Sequence, residues 1–395
     1  LNDADLRDLV RRLCEAELAS QNLPTSAVLA GGAQEAADGG LDVTVKLNQP
    51  LTRPNFIPRP YTGFQVKKHH MPPKACYDEM VYHDKEPKVV LSKLAAANGA
   101  YIMATTDNCA EPNRQKRLAR MADAVDTLDN HNQLLLDFYG IDRLNQWLSL
   151  FPGIQLWVRE RIGQSLSGWQ SHGRWTIVPS ADNDAYITDD LPRLTDITAN
   201  QTEPLTLTQG LNRFRTLLKN PGEILRLVGL SGTGKTRFVQ ALFETTVGPN
   251  ALPPTEAVYA DLSDTPIPPP GIMIEQLMAE NRRAIVVIDN CPPETHRQLT
   301  KKIRATTNPS VSLLTIEYDV ADDEPEETHV FRLRTTASSL TVSLLQRRFP
   351  SLSDTDAARL DQLSDGNARL ALALAKHVSK IDNLSQFSDL DLFKR

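Results

Sequence analysis

Apolar residues recur along this chain with two different periods, and the change between them divides it. Over Asp5–Ser20, taking 100° per residue, Leu6, Val10 and Leu13 fall on one stripe, which predicts an amphipathic helix. Glu17 continues that stripe, whereas Glu15 points nearly opposite. An acid on an apolar face needs a partner, so Glu17 is the better candidate for a role in a site. Alternating apolar positions then predict strands over Gly39–Val45 and Tyr61–Lys67, with a long proline-rich connection holding Pro50, Pro54, Pro58 and Pro60. Further helices and strands lead to WVRERIG and LSGWQSHGRW, so residues 1–175 are expected to form one domain.

A polar stretch rich in Asp, Thr and Pro follows, and residues 176–204 are predicted to be a linker. From Leu205 strands alternate with helices: EILRLVGL, then helix TRFVQALFETT, then strands AVYADLS, AIVVID and VSLLTIEY. That alternation predicts a parallel, doubly wound α/β domain over 205–336. The final segment, 337–395, carries apolar residues at helical spacing in LTVSLLQRRF and DAARLDQLSDGNARLALALAKHV, and should form a small helical lid. The chain opens on Leu1 and stops mid-pattern at SDLDLFKR, so it is expected to be a piece of a longer protein.

Composition changes little in this picture. The 395 residues are 41% hydrophobic and 23% charged, as in a globular protein. No apolar run approaches the length of a membrane span, so no membrane partner is expected. The four cysteines are far apart with no C-x-x-C pair, which fits a cytoplasmic protein without a zinc or disulfide framework. A net charge of -6 argues against a uniformly basic coat but leaves room for a basic cleft. Lys67, Lys68, His69, His70 and Lys74 form one candidate; Arg114, Lys116, Arg117 and Arg120 read rather as solvated surface charge. The aromatic strip of Trp147, Trp157, Trp169 and Trp175 reads as packing. Cys109 and His131 lack partners for a ligand or nucleophile role.

Two constellations carry chemistry. Gly229-Leu230-Ser231-Gly232-Thr233-Gly234-Lys235-Thr236 matches G-x-x-x-x-G-K-[ST] between a strand and a helix. Glycines let backbone N–H groups turn inward around phosphate oxygens, Lys235 reaches the β/γ-phosphates, and the Thr236 hydroxyl ligates Mg²⁺. Gly229, Ser231, Gly232, Thr233, Gly234 and Arg237 complete the expected nucleotide-binding set. ATP with Mg²⁺ is the expected ligand, although no base-reading residue is identifiable. Asp289 ends the apolar strand Ile285–Ile288 and is the expected Walker B carboxylate on that Mg²⁺. Asn290 stands where many P-loop ATPases carry a Glu; an amide is no general base, so hydrolysis should be slow or use another acid such as Glu317. Arg369, in Gly366-Asn367-Ala368-Arg369, either approaches the γ-phosphate from the lid or is a surface arginine. Residues 205–380 resemble a STAND or AAA+ P-loop NTPase. The run VGLSGTGKTRFVQALF with VVIDNCPPETH is similar to the NTPase module of bacterial antiviral STAND proteins. That resemblance implies a homo-oligomer, such as a tetramer, triggered by a phage protein through a C-terminal sensor.

The second constellation is Gly39-Gly40-Leu41-Asp42 with Gln65-Val66-Lys67, whose Gln and Lys, two apart on a strand, share one face. An acid beside a Q-x-K strand can converge on a metal ion. Asp42 and Gln65 would ligate Mg²⁺, Glu17 would act through a bound water, and Lys67 would polarise the nucleophilic water. Glu17, Asp42, Gln65 and Lys67 resemble the motif set of the Mrr-like branch of PD-(D/E)xK restriction endonucleases. The resemblance covers about residues 1–110 and implies DNA cleavage. The residues alone also suit an ordinary α/β domain with Asp and Lys at its strand ends.

Overall fold

The structure is a computed structural model. It describes residues 1–31, 41–176, 191–198, 203–317, 328–335 and 338–378. Gly39 and Gly40, most of 176–204 and the C-terminal end of the expected lid lie outside them. The chain divides into two compact units, Leu1–Ser165 and Leu166–Arg395.

In the first unit, in chain order, lie α1 (Asp3–Ser20), β1 (Val28–Ala30), β2 (Val43–Lys46), β3 (Tyr61–Lys67), α2 (Pro73–Met80) and α3 (Val89–Ala96). There follow β4 (Ala100–Thr105), α4 (Glu111–Asp123), β5 (Leu135–Tyr139), α5 (Ile141–Leu148) and α6 (Pro152–Arg161). Helix α1 starts two residues before the expected Asp5, because Asn2 and Asp5 form a reciprocal cap. The sheet runs in sequence order, β1-β2-β3-β4-β5. Its first two pairings are antiparallel and the last two parallel.

Strand alternation sorts the two faces. Val43, Val45, Phe64, Val66, Ile102 and Ala104 pack with Leu6, Val10 and Leu13 of α1 and with Trp147 and Trp157. On the opposite face Tyr101 and Met103 pack with Cys76, Met80, Leu91, Leu94 and Met121 of α2, α3 and α4. Gln65 pairs in register with Met103 and therefore belongs to this second face.

The second unit begins earlier than residue 176. Its elements are β6 (Trp169–Ser171), α7 (His172–Trp175), β7 (Pro192–Asp196), β8 (Leu205–Thr206), α8 (Leu207–Leu218), β9 (Ile224–Val228), α9 (Lys235–Ala241) and β10 (Ala257–Asp261). There follow α10 (Pro270–Ala279), β11 (Ala284–Asp289), α11 (Pro293–Arg304), β12 (Val311–Glu317), β13 (His329–Leu333), α12 (Ser338–Arg348), α13 (Asp354–Ser364) and α14 (Ala368–Val378).

The sheet order is β6-β10-β11-β12-β9-β13-β7-β8. Strands β10, β11, β12, β9 and β13 are parallel, as the alternation predicts. Antiparallel strands cover both edges. This corrects the expected boundaries. Trp169 pairs with Ala260, and Trp175 stacks on Tyr259 with ring centroids 4.5 Å apart, so residues 166–175 belong to the second core. Strand β7 lies inside the expected linker; its run Pro-Arg-Leu-Thr-Asp is too polar to announce a strand, yet Leu194 is fully buried. The tryptophans do pack: Trp147 and Trp157 in the first unit's core, Trp175 in the second's, and Trp169 is buried as well. Helices α12–α14 enclose a small core of their own, centred on Leu345, Leu360 and Leu374. Among the described residues no helix is long and apolar enough to cross a membrane.

Candidate functional site

The G-x-x-x-x-G-K-T loop leaves the C-terminal end of β9 and leads into α9. Its glycines are conformationally required. Gly229 has φ +153° and passes so close to the Leu333 carbonyl that a Cβ would sit 2.4 Å from the oxygen. Gly232, with φ +82°, would place a Cβ 2.2 Å from Asn367 Oδ1 and 2.7 Å from Arg369 Cβ. Lys235 folds over the loop, its Nζ donating to the carbonyls of Gly229 and Leu230 at 2.6 and 2.8 Å. A lysine satisfied by loop carbonyls stands where it can exchange them for phosphate oxygens.

The loop and the Walker B strand are not neighbours, since β12 lies between β9 and β11. Their side chains nevertheless meet. Thr236 Oγ1 donates to Asp289 Oδ2 at 2.8 Å, across 53 positions of sequence. Tyr259 donates to the same oxygen at 3.2 Å, and the Asn290 N–H to Asp289 Oδ1 at 2.9 Å. Burial raises the Asp289 carboxyl above its ordinary range, partly opposed by the Thr236 hydrogen bond. A hydroxyl and a carboxylate oxygen side by side are the donors that Mg²⁺ prefers. Asn290, in the left-handed region at φ +50°, turns its amide to donate to Asp261 Oδ1 at 2.8 Å. Glu317 forms an ion pair with buried Arg226.

Two loop-region expectations fare differently. Arg237 is held by Glu244, at 2.5 and 3.0 Å, so its guanidinium is directed along the helix to a carboxylate. Arg369 is exposed on the first turn of α14, with its Cβ against Gly232. Asn367, two residues before it, carries no motif signal, yet its Nδ2 donates to the Ser231 carbonyl at 2.7 Å and ties the helical segment to the loop. Ser231 and Thr233 line the same turn, where Thr233 Oγ1 donates to the Leu230 carbonyl.

In the first unit the antiparallel register Val43↔Phe64 sets Asp42 opposite Gln65. Side chains opposite each other share a face, with Cβ atoms roughly 4.5–5.5 Å apart. Asp42 Oδ2 accepts the Val66 N–H at 2.7 Å, and Arg7 stands 3.5 Å from Oδ1. Burial raises the Asp42 carboxyl, opposed by the Val66 N–H and by the charges of Lys67 and Arg7. Lys67 and Gln65 meet at Glu79 on α2: Lys67 Nζ lies 3.1 Å from Oε2 and Gln65 Nε2 donates to Oε1 at 3.0 Å. Lys88 adds a third contact, 3.3 Å from Oε1. The Gln65 side-chain oxygen is buried with no hydrogen-bond partner. Asp42, Gln65 and Lys67 are therefore brought together on one sheet face, and carboxylate and amide oxygens are the donor types that a hard cation takes. Among the described residues no group of three or more His, Cys, Asp or Glu side chains is arranged to hold a metal.

Glu17 does not join them. It is buried, as its place on the stripe predicts, and Glu15 is exposed enough to pair with Arg11. But α1 packs on the opposite face of the sheet and runs antiparallel to β3. Its N-terminal end, at Asp3, receives the Lys68 N–H, while Glu17 at the other end accepts the Ile57 N–H at 3.0 Å. Arg7 and Glu17 are ten residues apart on the helix, roughly 15 Å. Glu79 and Arg7 carry no visible signal in the sequence because each belongs to a helix marked by its apolar face, and Lys88 caps the next helix from an extended position. The second basic cluster also differs from expectation: Arg117 is buried and bonds to the Met71 carbonyl and to Asp107.

No protein-family model and no curated protein matches the sequence. Solved structures similar in part include the FIGL-1 AAA domain in complex with ADP, at 12% identity and TM-score 0.30, over 50% of this chain and 81% of that one. C. elegans PCH-2 is 14% identical with TM-score 0.31, over 48% of this chain and 64% of that one. A Pyrococcus horikoshii STAND protein with a tetratricopeptide-repeat sensor, PH0952, is 14% identical with TM-score 0.28, over 46% of this chain and 31% of its own. Superpositions this loose carry no argument. The fold of the second unit rests instead on its own geometry, a P-loop at the carboxyl edge of a parallel sheet with Thr236 against Asp289. That is a P-loop NTPase fold.

Proposed function

We propose that the chain is a nucleotide-controlled, Mg²⁺-dependent DNA endonuclease, with an ATP-binding switch in its second unit and a phosphodiesterase centre in its first. The observation that carries the cutting half is the cross-strand placement of Asp42 against Gln65, with Lys67 two residues along the same face. Bound there, Mg²⁺ would lower the pKa of a water and neutralise charge on the phosphorane. Asp42 and the Gln65 side-chain oxygen hold the cation. Lys67 orients the attacking water and offsets developing negative charge, and the exposed Lys68, His69 and His70 grip the nucleic-acid backbone.

In the second unit Lys235 takes the β/γ-phosphates while Thr236 and Asp289 hold the accompanying Mg²⁺. Asn290 offers no general base, and Arg226 keeps Glu317 engaged in an ion pair, so slow turnover and a switch role follow. Nucleotide binding would favour a homo-oligomer that juxtaposes nuclease units in the cytoplasm. The resemblance to antiviral STAND proteins suggests release by a phage protein acting through a sensor beyond this chain.

The test is plasmid cleavage in Mg²⁺ and ATP by purified wild-type chain, Asp42→Ala and Lys67→Ala. Both variants should lose cleavage while retaining ATP binding; a cleaving Asp42→Ala protein sinks the site assignment. A second reading, a signalling NTPase whose first unit is an interaction module, is favoured by one observation. Arg7 already neutralises Asp42, and Lys67 and Lys88 neutralise Glu79. On that reading wild type leaves plasmid intact under every nucleotide condition.

A further inference from the structure

Glu79 has the surroundings of a ligand rather than of a surface counterion. It sits on α2, on the sheet face that carries Gln65 and Lys67, with its side chain 21% exposed. Two lysines contact it, one on each oxygen: Lys67 at 3.1 Å from Oε2 and Lys88 at 3.3 Å from Oε1. Between them the Gln65 amide donates to Oε1 through its nitrogen, and Gln65 shares its sheet face with Asp42 in the facing strand. The Gln65 amide oxygen is buried and unpartnered in a residue only 4% exposed. A buried amide oxygen without a donor is costly, and no protein donor reaches this one. A cation accepting Gln65 Oε1, Asp42 and Glu79 would satisfy it.

We propose that Glu79 is a direct ligand of the divalent cation at this centre, beside Asp42 and the Gln65 oxygen. Lys88 is the counterion that holds the Glu79 carboxylate when the cation is away. The inference rests on the metal-dependent reading of the first unit, but is read by metal affinity and not by cleavage. Lys67 stays beside the loaded site for the attacking water; Lys88 swings out toward solvent.

The experiment is Mn²⁺ titration, by calorimetry, of the full chain without nucleotide. Every protein carries Asp289→Asn, which removes the carboxylate of the P-loop cation site. Glu79→Gln and Glu79→Asp should each weaken Mn²⁺ binding by tenfold or more. The Glu79→Asp loss should persist at about 1 M salt, where the Debye length is roughly 3 Å and an effect of charge alone is screened. Lys88→Ala should tighten binding by roughly two- to fivefold, the worth of one partly exposed ion pair removed from competition.

If Glu79→Asp binds Mn²⁺ as wild type while Asp42→Asn loses it, Glu79 is a counterion only. The inference is then overturned with the cation site intact. If the parent chain binds no Mn²⁺, the inference and the metal-dependent reading fall together. Should Glu79→Gln fail to fold by tryptophan fluorescence, Lys88→Ala decides alone: unchanged or weaker binding overturns the proposal.

Discussion

Replacing Glu17 by Gln should stabilise the first unit at alkaline pH and do nothing at acid pH. The carboxyl is 4% exposed, and only one of its oxygens has a partner, the Ile57 N–H at 3.0 Å. Burial pushes it up from 4.5 to about 7, against the backbone N–H groups of Ile57 and Phe56. With its folded value above its unfolded one, the neutral form is the one the fold prefers. Its contribution is fully present below pH 4.5, fades as pH rises through 7, and above that becomes a constant cost. A displacement of that size corresponds to about 3 kcal/mol. Gln keeps the acceptor for Ile57 and cannot ionise, but brings an NH₂ near the buried, unpartnered Trp147 ring nitrogen. The net gain at pH 8 should therefore be about 1–3 kcal/mol, and close to zero at pH 4. Urea unfolding followed by tryptophan fluorescence, to which Trp147 and Trp157 of this core contribute, reads it by linear extrapolation at both pH values. Equal effects at the two values, or a less stable variant at pH 8, would refute the reasoning. Cleavage by the variant tests the correction to Glu17's role: a residue on the far face of the sheet can change without loss of catalysis.

Three other outcomes follow from the second unit. Asn290→Glu should raise ATP turnover about tenfold or more, measured by phosphate release, because it places a carboxylate where none can act as base now; unchanged turnover would mean that slow hydrolysis has another cause. Arg226→Leu should destabilise this unit by roughly 3–5 kcal/mol in urea, since it breaks the ion pair between the buried Arg226 and Glu317. Trp175→Ala should cost about 3–5 kcal/mol, because it empties a site stacked on Tyr259 inside the sheet core; a change under 1 kcal/mol would place residues 166–175 outside that core.

Much of this molecule could be read from its residues, for identifiable reasons. The parallel strands β9–β12 announce themselves as near-continuous apolar runs, because both faces of that sheet are covered. The loop at 229–236 is legible because only glycines permit its backbone path, and Thr236 and Asp289, singled out by motif and spacing, lie in hydrogen-bond contact. Edge strands were not legible: β6 has three residues and β7 reads Pro-Arg-Leu-Thr-Asp, with pairing supplied by distant partners. Periodicity told correctly that Glu17 is buried but not on which side of the sheet, since a stripe fixes a helix face and not the face of its neighbour. Glu79 was invisible for the complementary reason. Its helix is defined by Cys76 and Met80, and only the fold sets its polar edge beside Lys67.

The coupling between the two units is the claim most open to direct attack, and one measurement reaches it: the nucleotide dependence of plasmid nicking in Mg²⁺. The account predicts nicking by the wild-type chain with ATP, little without it, and none by Lys235→Ala at any ATP concentration, since that variant loses the cation that takes the phosphates. Nicking by Lys235→Ala as fast as by wild type would contradict it and make cleavage independent of the P-loop.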